Sequence, residues 1–406
     1  MANPNQETTL LAANVLASQQ DLASCVILPK GGVSVTKDAF ALCSWLLEVY
    51  IPEGYECIED RAFSQCDNLT KVHLPSSMTT IGRSSFQNCQ NLKHINLKNV
   101  KHFGRNAFVS CFQLCRVNLS AAESIEDNVF FNCCNMMVEV TAIIDGEVED
   151  VEEDNEHIVM DQYRADLRNL RTLGRSAFQG AEIFADLVFR DLTSVGSRAF
   201  SGSGVLSVDM NDCNFLTTIG CDAFQNCISL TYVTMTSTKL RVLRNRVFFN
   251  CCGLLRVVLP SKLQKISMFC FSYCQSLCNL EFPSTLITVG DLAFQHCEQL
   301  RRPTVAQCSE WTVAPNAFHD CLPPLMFENI DNYVYTSKTV VCSICHDNCS
   351  GDCNREACQI EPCKHFFHRE CATKWYAINQ TCANCRSTVV SVALVQKSRK
   401  RRLANI

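Results

Sequence analysis

The sequence predicts a repeat solenoid of short parallel strands, followed by a small module folded around metal ions. Two observations predict it. One Phe recurs twelve times in a fixed context, spaced 22 to 24 residues apart with a single exception, and four Cys/His pairs crowd into residues 342–385. The chain has 406 residues and 47% hydrophobic content, enough to bury a core along an extended array. A formal charge of -5 and a pI near 6.0 exclude a global basic field that would draw the whole chain to nucleic acid or an anionic membrane. The first 25 residues lack the basic and unbroken apolar regions of a secretory signal, and no run elsewhere is long enough to span a membrane. The 29 Cys are therefore expected to be reduced thiols, in the cytoplasm or the nucleus, serving packing and metal ligation.

The recurring residues are Phe40, Phe63, Phe86, Phe108, Phe130, Phe178, Phe200, Phe224, Phe248, Phe271, Phe294 and Phe318. Each has an apolar residue five positions before it, from Val35, Ile58 and Ile81 to Val313. Cys follows three positions after it in ten of the twelve, with Ala181 and Ser203 in the other two. Downstream the chain reads L-x-x-V-x-L, as in Leu69, Val72 and Leu74, an alternation that predicts a short strand. A turn often marked by Pro (Pro52, Pro75, Pro260, Pro283) leads to a second apolar segment closing on A-F-x-x-C. No unit this small can bury its Phe alone, so the units must stack. The Cys has two readings, a metal or redox ladder and a small buried hydrophobe. The second is preferred, because Ala181 and Ser203 replace it with no other change.

IGRSSFQNCQNLKHINL and IGCDAFQNCISLTYVTM match the signature I-G-x-x-A-F-x-x-C-x-x-L-x-x-V-x-L, and the array resembles leucine-rich repeats of the BspA-like type. The resemblance implies a leucine-rich repeat horseshoe, with short parallel strands joined by irregular or short helical segments, serving as a protein-binding surface. The boundaries are an N-terminal segment at 1–32, the solenoid at 33–330, a linker at 331–339, the zinc module at 340–390 and a basic tail at 391–406. Between Phe130 and Phe178 an acidic insertion near 145–157 holds seven acidic residues among the ten from Glu147 to Glu156. It reads as a solvated loop extruded from one coil, or as an electrostatic partner of the array's own basic strand positions. Those outward positions, Lys71, Lys93, Arg116, Arg256, Arg301 and Arg302, are the candidate substrate-binding residues, with His73 and His94 beside them.

Cys342-x2-Cys345 and Cys382-x2-Cys385 are knuckles that can each present two sulfurs to one ion. Between them CKHFFHREC supplies Cys363, His365, His368 and Cys371. Cys363 and His365 share one side of an extended segment, while His368 and Cys371 share one face of the helix suggested by HRECATKWYA. Phe366 and Phe367 are too short a link to fold one pair back on the other, so the pairs serve different ions. Eight ligands fill two tetrahedral Zn2+ sites.

The ordered pairs resemble a RING finger with two central histidines. That resemblance implies a cross-brace: Cys342, Cys345, His368 and Cys371 hold the first zinc, and Cys363, His365, Cys382 and Cys385 the second. It also implies ubiquitin ligase activity without a covalent ubiquitin intermediate, with a ubiquitin-conjugating enzyme, ubiquitin and a protein substrate as partners. Both sites are closed, so metal hydrolysis is not expected. Ile344, Trp375 and Arg386 match conjugating-enzyme contact positions; Ile344 and Trp375 read equally well as core. Ala383 stands where active family members often carry Pro, which supports a rival reading as a non-catalytic interaction scaffold. Cys349, Cys353 and Cys358 are spare thiols or belong to an insertion. Five Lys or Arg against five Asp or Glu across Cys342 to Arg386 give no basic face for nucleic acid. KSRKRR, from Lys397, reads as a solvated tail or an import signal.

Overall fold

The computed structural model describes residues 24–138, 142–144, 147–149, 164–300 except 279, 311–321, 333–336, 342, 344–345, 357–361, 363–379, 381–383, 385 and 391–397. Contacts divide the chain into two compact units: Met1–Glu298 with Ala314–His319, and Gln299–Val313 with Asp320–Ile406. Among the described residues no helix is long and apolar enough to cross a membrane.

The first unit is the solenoid, built on ladders that run from coil to coil. A front ladder of parallel strands begins with Cys25–Ile27, Glu48–Tyr50, Lys71–His73 and His94–Ile95. It continues with Arg116–Val117 against Met137–Val138, and then from Arg164–Asp166 through Asp186–Val188, Ser207–Asp209 and Tyr232–Thr234 to Arg256–Val258. The middle residue of Lys71–His73 is buried and its neighbours face out, as the alternation of Val72 and Leu74 predicts. The second apolar segment of each unit also forms a strand. Eight of these pair in parallel from Ser34–Val35 to Thr218–Ile219, and Val242–Leu243, Lys265–Ile266 and Thr288–Val289 follow. The segment 1–32, placed before the solenoid on sequence grounds, holds strand Cys25–Ile27. That strand pairs with Glu48–Tyr50, because Val26 needs the same buried wall as Val49.

Where irregular or short helical segments are expected, the described coils make tight turns around the Phe, and these turns form a third ladder. The N–H of Phe40 donates to the Ala62 carbonyl (2.7 Å) and that of Phe63 to Ser85 (2.8 Å), a bond repeated as far as Phe294 and Ala317 (2.8 Å). From Phe40 to Phe294, residues two before and two after the Phe are left-handed, for example Asp38 and Leu42 (φ 60° and 65°) or Asn106 and Ser110 (φ 61° and 59°). Alternating handedness aims successive N–H and C=O groups along the solenoid axis. Asn, Asp and Gly adopt this conformation most readily. Phe269, Tyr273, Leu292 and His296 adopt it too, at φ 53° to 64°, and Tyr273 N–H bonds the Gln295 carbonyl at 2.7 Å.

Inside the turns all twelve Phe rings stack, with successive centroids 4.9 to 5.5 Å apart and planes within 16° of parallel. Each pair is worth about 0.5–1.5 kcal/mol beyond area burial. The following Cys is buried, and its thiol donates to the Phe carbonyl of the preceding coil: Cys66 to Phe40, Cys89 to Phe63 and Cys251 to Phe224, each at 3.0 Å. Burial pushes the Cys66 thiol up to about 12 and Cys89 and Cys251 well above the ordinary range, so these groups are neutral donors.

Phe130 stacks directly on Phe178 at 5.3 Å, and Ser124–Ile125 pairs with Thr172–Leu173. The surplus length between them therefore leaves a single coil. Part of it is a hairpin of Ala142–Ile144 against Glu147–Glu149, and the sequence between the two strands reads Asp-Gly, a strong hairpin signal. The acidic positions 150–156 lie outside the described residues.

In the second unit a four-stranded sheet runs in the order Tyr333–Thr336, Ser391–Lys397, Ala357–Glu361, His365–His368, followed by the helix Arg369–Asn379. The stretches read as linker (331–339) and basic tail (391–406) thus each contribute a strand. YVYT and SVALV are rich in β-branched and aromatic residues, which suit a sheet better than a solvated connection. Residues 398–402 of KSRKRR lie outside the described residues.

Candidate metal centre and interaction face

The hairpin Ala357–Glu361/His365–His368 and the helix that follows it set the ligand geometry. The hairpin pairs Ile360 with His365 and Ala357 with His368, while Cys371 enters on the first turn of the helix. Gln359 is buried and its Nε2 donates to the Lys364 carbonyl at 3.0 Å; Lys364, at φ 59°, makes the turn between Cys363 and His365. Sequence reasoning missed Gln359 and its strand. The signal was the period-two alternation of Cys358 and Ile360, both buried in the core with Cys342, Phe367, Ala372 and Cys382. Cys358 is thus a core residue, while Cys349 and Cys353 lie outside the described residues.

The structure brings together Cys342, Cys345, His368 and Cys371 in one group and Cys363, His365, Cys382 and Cys385 in another. Within each group the ligand atoms all lie within 4.8 Å of one another. Zinc–sulfur bonds of about 2.3 Å put neighbouring ligands roughly 3.8 Å apart, so each group has the dimensions of one tetrahedral site. Both His present Nδ1 to a sulfur, His368 3.2 Å from Cys345 Sγ and His365 3.5 Å from Cys382 Sγ. Three sulfurs and an imidazole with no carboxylate suit zinc better than calcium or magnesium. Cys342, Cys382 and His368 are fully buried, whereas Cys385 is exposed.

The thiols have divergent acidities. Burial raises Cys342, but hydrogen bonds from the backbone of Cys345, His368 and Ile344 outweigh it and lower the thiol overall. Burial and the crowding of Cys345 and Cys342 push Cys371 up to about 12. The donor set fits a divalent cation, whose charge would offset the gathered thiolates.

Ile344 is partly buried against the core of this module. Trp375 is half-buried, and its indole N–H donates to the Thr381 carbonyl at 3.0 Å, fixing the chain just before the Cys382 knuckle. Ala383 packs partly buried against the same core, and Arg386 lies outside the described residues.

On the solenoid, Lys71, Lys93, His94, Arg116 and Arg256 are exposed on the front strands or beside them; Arg301 and Arg302 lie outside the described residues. Carboxylates share the face. Glu48 accepts from His73 Nε2 (2.7 Å) and the Tyr50 hydroxyl (3.0 Å), bonds that hold it below the usual carboxylate range, and Lys71 approaches it at 4.0 Å. Tyr50 stacks on His73 at 3.9 Å. Farther along, Asp166 pairs with Arg168, Asp186 accepts from Ser207, and Asp209 accepts from Thr234. Besides burial, the carboxylates of Asp209, Asp212 and Asp191 help push the Cys213 thiol up to about 12.

Residues 13–137, 166–235 and 193–323 match the BspA type Leucine rich repeat region, in six copies. The chain belongs to the BspA-type leucine-rich repeat family. This BspA-type protein also matches the Ring finger domain over residues 340–386. RING finger protein 24 of Homo sapiens is similar to it at 31% identity over 61 residues, covering 15% of this chain and 39% of that protein's length. Among solved structures, a leucine-rich repeat protein from Bacteroides ovatus is 20% identical with a TM-score of 0.38, covering 74% of this chain and 91% of that one. Another, from Eubacterium ventriosum, is 18% identical with a TM-score of 0.43, covering 76% and 86%.

Proposed function

We propose that this BspA-type protein is a RING-type ubiquitin-protein ligase whose repeat array recruits a protein substrate and whose zinc module positions a ubiquitin-loaded conjugating enzyme. The interleaving of the ligand groups carries the reading. The first and third pairs in the sequence gather in one group and the second and fourth in the other, in residues that match the Ring finger domain. Each group would hold one Zn2+, as a closed structural site. Catalysis would come from proximity and orientation, with no nucleophile from this chain. Ile344, Trp375 and Arg386 would contact the conjugating enzyme and its ubiquitin, in the cytoplasm or the nucleus.

Trp375 and Ala383 favour a second reading, a non-catalytic scaffold: the indole is bound within the module, and Ala383 leaves a docking groove less defined than Pro would. Autoubiquitination with a panel of conjugating enzymes separates the two. The ligase reading expects polyubiquitin from the parent, and strong loss in Ile344→Ala and Arg386→Ala with zinc content unchanged. Equal product from both variants and parent would sink the assigned contacts, and no product with any enzyme would leave the scaffold.

A further inference from the structure

From Ala223 to Leu280 the chain has no Asp or Glu and seven Lys or Arg, in a protein whose formal charge is -5. Six of the seven, Lys239, Arg241, Arg244, Arg246, Lys262 and Lys265, are exposed on the strands Val242–Leu243 and Lys265–Ile266 or the loops beside them. Val242 pairs in register with Lys265 and Leu243 with Ile266, so the six lie on adjacent coils, roughly 4.8 Å apart. Lys239 to Arg246 spans at most about 23 Å. Earlier along the same side of the array cations are neutralised: Lys101 by Glu123 at 3.2 Å, Arg105 by Asp127 at 2.8 Å and Arg198 by Asp222 at 3.8 Å. None of the six has such a partner among the described residues. On the flanking coils Asp222 and Asp291 are half-buried, and Asp222 is taken up by Arg198. Two of the cations lie over rings. Lys239 Nζ is 4.9 Å from the centroid of Phe215, which is 63% exposed, and Arg246 Cζ is 5.6 Å from that of Phe269. Asn245 is exposed and Gln264 half-buried among the cations.

We propose that this strip binds single-stranded RNA, with phosphates over the six cations and bases against Phe215 and the Arg246 guanidinium. Cations without carboxylate partners displace counterions from a phosphate backbone with no ion pair to break first. Arg241, Arg244 and Arg246 can each meet a phosphate with two N–H groups at once. Every base has a π-face, so aromatic rings and guanidinium planes hold unpaired bases of any sequence. An acidic polypeptide supplies negative charge but nothing to stack on these groups. A lipid surface needs contiguous apolar side chains, whereas Phe215 lies under Lys239 and Val242 is flanked by Arg241 and Lys265. A duplex keeps its bases stacked on one another and leaves the rings unused. Asn245 and Gln264 supply amide donors and acceptors that a 2′-hydroxyl can use, which selects RNA over DNA. No residue of the zinc module enters the strip, so RNA binding is a property beyond the ligase reading.

The test is fluorescence anisotropy on the zinc-loaded full chain with labelled oligouridine of about twelve nucleotides. Oligodeoxyuridine, an RNA duplex and oligoglutamate of the same length are compared with it, and vesicles of phosphatidylcholine and phosphatidylserine are read by co-flotation. Oligouridine is expected to bind about tenfold tighter than oligoglutamate or the duplex, and about threefold tighter than oligodeoxyuridine. Its affinity should fall with a log–log salt slope of about -3, the value for roughly four phosphates neutralised on a single strand. Arg241→Glu/Lys265→Glu is expected to weaken binding about tenfold and flatten that slope, with circular dichroism showing the array folded. Phe215→Leu is expected to weaken it about fivefold with the slope unchanged. Equal binding of oligoglutamate, the duplex or oligodeoxyuridine would overturn the proposal, as would capture by the vesicles alone. Unchanged affinity in Phe215→Leu would show that charge acts without stacking and would overturn it too. Binding that survives the double substitution but is lost when Arg399, Lys400, Arg401 and Arg402 are replaced by Gln would put the RNA on the basic tail and overturn its assignment to the array.

Discussion

From Cys66 to Cys297, the Cys that stands three residues after a Phe donates a thiol hydrogen bond along the solenoid axis, in a space that burial keeps dry. Cys251 reaches the Phe224 carbonyl at 3.0 Å and is fully buried. Cys251→Ala removes that donor and leaves a small void, an expected loss of about 1–2 kcal/mol read from the urea unfolding midpoint. An unchanged midpoint would mean that the thiol only fills space. Phe224→Ala breaks the ring stack on both sides and is expected to cost about 3–5 kcal/mol by the same measurement. The Cys and the Phe were legible in the sequence as buried residues. The thiol bond was not, because its acceptor is a backbone carbonyl one coil earlier and carries no side-chain signature. Gln359 was hidden for the same reason: its partner is the Lys364 carbonyl.

Among the elements, the front strand was legible from alternation, whereas the back strand and the Phe turn were not. A two-residue strand such as Thr80–Ile81 is too short to show a period, and the turn ladder depends on left-handed residues at positions that hold Asp, Asn, Ser, Arg, Phe or Tyr alike. The insertion could be placed by counting but its exit point could not. Met137–Val138 and Arg164–Asp166 both belong to the front ladder, where the back ladder has Thr172–Leu173 alone among the described residues. Removing residues 139–164 shortens the interval between Phe130 and Phe178 from 48 residues to 22, within the ordinary repeat spacing. The deleted chain should fold with a far-ultraviolet spectrum like the parent's and a melting temperature within a few degrees of it. A large drop in melting temperature would show that the insertion holds the two halves of the array together.

For the whole molecule, the two units draw their stability from different sources, stacked apolar coils in one and gathered thiols in the other. A structural zinc site contributes on the order of 10 kcal/mol to folding, so a strong chelator should unfold residues 333–397 while the array keeps its circular dichroism signal. Loss of both together would contradict independent folding. The eight ligands were legible in the sequence because Cys and His spacing carries ligation directly, whereas their division into the two groups that the structure gathers came from the resemblance to a RING finger. The strands on either side of the module were not, because YVYT and SVALV resemble any exposed connection until a sheet receives them. In the proposed ligase the zinc module activates a ubiquitin-loaded conjugating enzyme. The most direct measurement is single-turnover discharge of ubiquitin from a charged conjugating enzyme to free lysine, with and without the zinc-loaded full chain. At least a tenfold acceleration is expected from the parent and none from Ile344→Ala carrying the same two zinc ions per chain. A folded, zinc-loaded parent that accelerates discharge from no conjugating enzyme would overturn the ligase proposal.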